Sequence, residues 1–285
     1  MTSTQDRGRP DAEMGPTSGW KRPRKRLGQH FLNDAGAARR IASAAEAGPN
    51  DLVIEIGPGR GAITSLLADA AERVIGIELD DTLARELTAS FADRPGVSID
   101  NRNILDADLP QIVTDAGYKS AIVVGNLPYH LTGPILQQLM RSRLVLNRAI
   151  VMMQREVGER LRATEGKAFG ILSISIQLYC EISHVFDLGP SHFTPPPKVH
   201  SSVLALTFRD KPAVDLEDEA AFFQVVRTAF QQRRKMVKNT VARLVNVQEA
   251  DVVELCREAG VDPMARPATL SAAAFERITR VIARS

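Results

Sequence analysis

Cysteine is nearly missing from this chain, with only Cys180 and Cys256 among its 285 residues. Each sits in an apolar, helix-like stretch, so both read as buried free thiols rather than as a disulfide or part of a metal site. No apolar run is long enough to cross a bilayer. Asp6, Asp11 and Glu13 stand among Gly, Pro and Ser in the first twenty residues, which therefore have no signal-peptide core. A cytoplasmic protein without a membrane partner is expected. Net charge is also scarce, at +2, but it is unevenly distributed. Five of the six residues from Lys21 to Arg26 are basic, including Arg24, Lys25 and Arg26, and Arg233, Arg234, Lys235, Lys238 and Arg243 form a second cluster. Such clusters on a balanced chain fit a polyanionic partner, as well as the commoner case of a solvated charged face.

A hydrophobic content of 44% and a charged content of 25% are those of an ordinary soluble globular protein. The length suits one large domain and one small one. Residues 1–20, polar and rich in Gly and Pro, read as a disordered leader. Residues 21–210 alternate strand and helix patterns. From Lys211 a linker leads into helical patterns broken by Gly260, Pro263 and Pro267, so 211–285 reads as a small helical module. Arg233, Arg234, Lys235 and Lys238 are expected to open its second helix, where basic residues oppose the macrodipole and so point to a partner.

Three stretches carry chemistry. In AIVVGNLPYH (121–130), a buried parallel strand ends at Gly125. At its carboxyl end, where open α/β sheets bind ligands, the Asn126 amide oxygen and the Leu127 carbonyl are two acceptors for one pocket. Pro128 restrains the backbone and Tyr129 offers a flat ring for stacking on a base. Two acceptors beside a ring suit an exocyclic amine such as the N6 of adenine. Alone, the same four residues would equally serve as a strand-to-loop turn. In DLVIEIGPGRGAITSLL (51–67), a strand ends in a glycine turn that opens a helix, which lets backbone approach a nucleotide-like ligand. Gly57, Gly59 and Ala62 satisfy the dinucleotide pattern G-x-G-x-x-G/A, whereas Glu55 and Gly61 complete E-x-G-x-G-x-G, a form that resembles S-adenosylmethionine sites. Glu78, about twenty residues beyond the turn, suits a ribose diol under either reading. Asn103, with Asp106 and Asp108, follows the next strand and could meet an adenine edge. In SHFTPPPKVHSS (191–202), three prolines stiffen a loop whose Phe193, if it faces solvent, would form the second wall of a base slot opposite Tyr129. Burial of Phe193 in the core is the competing reading. Gln29 and His30 lie between apolar anchors in RKRLGQHFLND (24–34), a segment able to fold over a ligand. No His or Cys accompanies His30 at a metal-binding spacing, and no metal is expected.

RKRLGQHFLND, EIGPGRGAIT, IELD, GNLPYH, SHFTPPPKVHSSV and FQQRRKMVKN, in this order, closely resemble the KsgA-type small-subunit ribosomal RNA adenine dimethyltransferases. The resemblance implies an α/β fold, a Rossmann-like seven-stranded S-adenosylmethionine-dependent methyltransferase domain with a small α-helical C-terminal domain that binds rRNA. It also implies transfer of methyl groups to the N6 of two adjacent adenosines in a 3′-terminal hairpin of the small subunit's rRNA during subunit biogenesis, by a monomer. By position, cofactor contacts fall on His30, Leu32, Gly57, Glu78, Asn103 and Asn126, and target-base contacts on Asn126, Leu127, Tyr129 and Phe193. The family often has Asn at the position of His30 and Asp at that of Asn103, so cofactor affinity is the property least transferable. A non-enzymatic assembly factor that docks through its basic clusters, and an NAD-dependent oxidoreductase, are the rival classes.

Overall fold

The computed structural model describes residues 29–166, 169–245 and 249–284. The leader and the first basic cluster, with Arg24, Lys25 and Arg26, lie outside the described residues. Strand β1 (Phe31–Leu32) and helix α1 (Ala35–Ala44) come first. They are followed by β2 (Leu52–Ile56), α2 (Thr64–Ala70), β3 (Arg73–Ile77), α3 (Asp81–Ser90), β4 (Val97–Asp100), α4 (Leu109–Asp115), β5 (Ala121–Asn126) and α5 (Thr132–Arg141). Next are β6 (Leu146–Gln154), α6 (Arg155–Arg162), α7 (Ile171–Tyr179), β7 (Cys180–Leu188), β8 (Phe193–Thr194) and β9 (Ser201–Phe208). Helices α8 (Glu219–Gln231), α9 (Val237–Leu244), α10 (Glu249–Glu258) and α11 (Ala272–Arg284) complete the order.

Seven strands form one sheet in the order β4-β3-β2-β5-β6-β9-β7. The first five run parallel and β9 is antiparallel to both its neighbours. The order turns back between β2 and β5, where the register sets Ile56 beside Gly125, so the residues that follow each strand emerge side by side. That is the switch point at which doubly wound sheets bind ligands. Gly125 is required there: a Cβ would lie 3.1 Å from the Ile56 Cβ and 3.2 Å from its carbonyl oxygen. The period of two along β2 puts Leu52, Ile54 and Ile56 against α5 on one face and Val53 against α1 and α2 on the other. Both faces are therefore apolar, and each fully buried Leu or Ile contributes roughly 1.5–3 kcal/mol.

The sheet's core does not stop at residue 210. Phe222, Val225, Val226 and Ala229 of α8 and Phe275 of α11 belong to the same buried cluster as Leu52 and Ile54. Phe169, Phe230 and Phe275 carry it across the seam, with ring centroids 6.4 and 6.0 Å apart. Arg233 ties the seam further, donating to the carbonyls of Gly166 at 3.3 Å and Phe169 at 3.1 Å.

Two expectations are corrected, and one helix is added. Helix α9 starts at Val237, so Arg233, Arg234 and Lys235 precede it and only Lys238 lies in its first turn. The stretch after β4 contains a helix, α4, with Pro110 in its first turn and Asp108 as N-cap, the Asp108 carboxylate accepting from Gln111 N–H at 3.0 Å. Phe193 does not face solvent. It is 2% exposed and packs with Ile41, Phe186, Leu188 and Val203, because Phe193–Thr194 pairs with Phe31–Leu32 as a separate two-stranded sheet.

Candidate active site

A cavity opens at the switch point, lined by the arm from Gln29 to Leu32, the glycine turn, Glu78, Asn103 and the Asn126–Tyr129 turn. The glycine turn projects from β2 with Gly57 and Gly59 at φ +65° and +61°. A Cβ at Gly59 would sit 3.2 Å from the Phe31 ring, so only glycine lets the arm close over the turn.

Two carboxylates stand behind that turn. Glu78 is buried, and its Oε2 accepts from Gly59 N–H at 3.1 Å and its Oε1 from Asp80 N–H at 2.8 Å. Burial pushes its pKa up, against the pull of those two donors. Glu55, in the strand itself, accepts from the Thr64 hydroxyl at 2.5 Å, and desolvation raises its pKa from 4.5 to about 7. Asn103 lines the cavity while its Oδ1 caps the following turn, accepting from Leu105 N–H at 3.1 Å. Asn101, which no motif singles out, donates to the Glu78 carbonyl at 2.8 Å and ties the segment that leaves β4 to the one that leaves β3.

On the opposite wall, Asn126 donates its amide nitrogen to the His30 carbonyl at 3.0 Å. A carbonyl only accepts, so in this contact the amide nitrogen is the donor and Oδ1 is left as an acceptor on a residue that lines the cavity. Leu127 N–H donates to the Met152 carbonyl at 3.0 Å, anchoring the turn to β6, and the Leu127 side chain is buried. Among the described residues, the hydrogen bonds of the turn leave the Leu127 carbonyl unused. The Tyr129 hydroxyl shares a hydrogen bond of 2.8 Å with the Ser201 Oγ, and burial raises its pKa. Its ring lies along that of His30, with centroids 5.7 Å apart and planes inclined at 24°.

The structure thus gathers His30, Leu32, Gly57, Glu78, Asn103, Asn126, Leu127 and Tyr129 at one cavity. Phe193 is absent from its lining, and the second basic cluster lies between α8 and α9 and along α9. Arg234 and Lys235 are exposed, whereas Arg233 is half-buried in the seam. Ser201, the Met152 carbonyl and the His30 carbonyl are additions that the motifs do not announce. Backbone carbonyls leave no mark in a sequence, and Ser201 is visible there only as the end of the proline loop.

A seven-stranded sheet of this order, with a glycine turn on one side of its switch point and an Asn-Leu-Pro-Tyr turn on the other, defines a Rossmann-like methyltransferase. The family model for ribosomal RNA adenine dimethylase matches residues 21–284. Ribosomal RNA small subunit methyltransferase A of Moorella thermoacetica is 42% identical over 267 residues, covering 91% of this chain and 92% of its own. Its Bacillus mycoides namesake is 39% identical, covering 91% of each chain. Among solved structures, the 23S rRNA methyltransferase ErmE superposes with a TM-score of 0.70 at 25% identity, over 89% of this chain and 99% of its own. A dimethyladenosine transferase from Plasmodium falciparum superposes with a TM-score of 0.75 at 22% identity, over 87% and 96%, and shares the fold. This chain belongs to the ribosomal RNA adenine dimethylase family.

Proposed function

We propose that this enzyme dimethylates the N6 of two adjacent adenosines in the 3′-terminal hairpin of small-subunit rRNA, using S-adenosylmethionine, during subunit biogenesis in the cytoplasm. The observation that carries this reading is the Asn126 amide, held by the His30 carbonyl in the lining of the cavity, with Leu127 and Tyr129 in the same lining.

The donor set fits the cofactor. Glu78 offers a carboxylate to a ribose diol, and Asn103, His30, Leu32 and the Gly57 backbone surround the same space. Glu78 suits the ribose of either cofactor class, so the choice of S-adenosylmethionine over a dinucleotide rests on the family match. When bound, S-adenosylmethionine supplies an electrophilic methyl group. The chain's own residues then have two tasks. Asn126 Oδ1 and the Leu127 carbonyl hold the adenine amine, whose lone pair is otherwise delocalised into the ring, and stabilise the positive charge that grows on it. Tyr129, fixed at its rim by Ser201, stacks on the extruded base and aligns it, an orientation effect of up to roughly 7–11 kcal/mol. The proton lost from the amine leaves to water.

Arg234 and Lys235 are assigned to rRNA phosphates, with Lys238 a turn further on; their exposure just before α9 supports this. Arg24, Lys25 and Arg26 are assigned to the same partner from sequence, and the enzyme acts as a monomer. The test is incubation with labelled S-adenosylmethionine and undermethylated small subunits, followed by mapping of the label. Label on N6 of two adjacent adenosines of the small-subunit rRNA supports the reading; no transfer by a protein that still binds small subunits leaves a docking factor.

A further inference from the structure

The arm and the glycine turn meet through a cation that the resemblance does not place at the site. Arg60 lies between Gly59 and Gly61, at φ +61° and +77°, in a turn wedged against its neighbours: a Cβ at Gly61 would lie 3.0 Å from the Leu87 side chain and 3.2 Å from the Phe91 ring. The Arg60 guanidinium sits over the Phe31 ring, with Cζ 4.5 Å from the centroid, in the lining of the cavity. A planar cation lying on an aromatic face keeps the donors at its edge available to an anion. Among the described residues, no carboxylate lies within ion-pairing reach of Arg60, and its Nε, shut off from solvent, has no hydrogen-bond partner. Buried charged donors are normally paired. The other guanidinium of the lining, that of Arg102, is exposed and already pairs with Asp100 at 2.7 Å.

We infer that Arg60 is the counter-ion of the cofactor's α-carboxylate, held on Phe31 so that the arm and the glycine turn grip the cofactor's amino-acid end together. This rests on the methyltransferase reading above and adds to it a residue that makes binding depend on that carboxylate. The two ends of the cavity decide which cation serves. Glu78 marks the ribose and Asn103, directly after Arg102, the adenine edge, so Arg102 belongs to the nucleoside end. The methyl group has to reach Asn126, whose amide is bonded to the His30 carbonyl of the arm, so the amino-acid end extends toward the arm. Arg60, stacked on the arm's own Phe31, is the guanidinium found there. Its forked donors match a carboxylate, and the ring beneath holds them in place before the ligand arrives.

The test is calorimetry on the full-length protein with two ligands, S-adenosylhomocysteine and, at up to millimolar concentration, 5′-methylthioadenosine. Both carry the nucleoside and a thioether, and only the first carries a carboxylate. Arg60→Leu keeps an apolar stem on Phe31 and removes the charge. Hydrogen bonds between charged groups are strong enough that this variant is expected to raise the Kd of S-adenosylhomocysteine by about 10–100-fold, while that of 5′-methylthioadenosine stays within about threefold of wild type. The inference is overturned by an unchanged Kd for S-adenosylhomocysteine in Arg60→Leu, or by an equal loss for both ligands, which would make Arg60 a prop of the turn. Wild-type protein that binds neither S-adenosylmethionine nor S-adenosylhomocysteine refutes the broader functional reading instead, so the two failures are distinguishable.

Discussion

Replacing Glu55 with Gln should make the protein more stable at alkaline pH and alter how stability varies with pH. Glu55 is 2% exposed, has the Thr64 hydroxyl as its hydrogen-bond donor, and faces Glu78; desolvation raises its pKa from 4.5 to about 7. Below pH 4.5 the carboxyl is protonated in both folded and unfolded chains and favours neither. Between 4.5 and about 7 the unfolded chain releases the proton while the folded one retains it, so stability falls as pH rises, by about 1.4 kcal/mol per unit. Over that window the loss is about 3 kcal/mol, complete once the folded carboxyl ionises. Gln keeps the acceptor for Thr64 and never ionises. Urea melts of both proteins at intervals from pH 5 to pH 8 should show Glu55→Gln gaining on wild type by about 1–3 kcal/mol across the range, allowing for an imperfectly paired amide. Other titrating groups are common to both proteins and largely cancel in the difference. A difference that stays flat with pH would refute the reasoning.

Asn126→Ala removes one acceptor and should lower kcat by about 10²–10³-fold while the melting temperature moves only a few degrees, checked by methyl transfer and circular dichroism. Tyr129→Phe removes only the hydrogen bond to Ser201 and should cost a few-fold in kcat/KM, where Tyr129→Ala, without the stacking face, should cost far more in the same assay. Arg234→Ala with Lys235→Ala should weaken subunit binding and reduce its salt slope by up to about 2, one for each phosphate no longer neutralised. Arg233→Ala should instead lower the melting temperature, because the Phe169 carbonyl in the seam loses its guanidinium donor while the Gly166 carbonyl keeps only the N–H of Phe169. Phe193→Ala should destabilise the fold by about 3–5 kcal/mol, measured by denaturant melts, as expected for an aromatic ring that is 2% exposed.

The strands are legible in the sequence because short runs rich in β-branched residues, such as Leu52–Ile56 and Ala121–Val124, are buried on both faces and look the same from any context. The glycine turn and the Asn-Leu-Pro-Tyr turn are legible for a different reason: each needs particular backbone freedom or restraint at fixed positions. Phe193 is not. Its neighbours are polar, and its burial depends on pairing with Leu32, far away in the chain. Helix α4 is hidden by its own cap, since Asp108 looks like a ligand-facing polar group unless the chain after it is known to coil. The start of α9 falls later than its basic run suggests, because such side chains look alike in a turn and in a helix. Arg233 is the residue for which that matters, since its guanidinium reaches back to the Phe169 carbonyl.

The phenylalanine bridge from Phe169 through Phe230 to Phe275 joins the sheet's core to the terminal helices, so the two halves of the chain should melt together. Calorimetry should record a single melting peak, and a fragment ending near residue 210 would bare a greasy wall and clump. Swapping the terminal helices with those of a relative would succeed only if the partner's rings met this wall as well as α8 and α11 do.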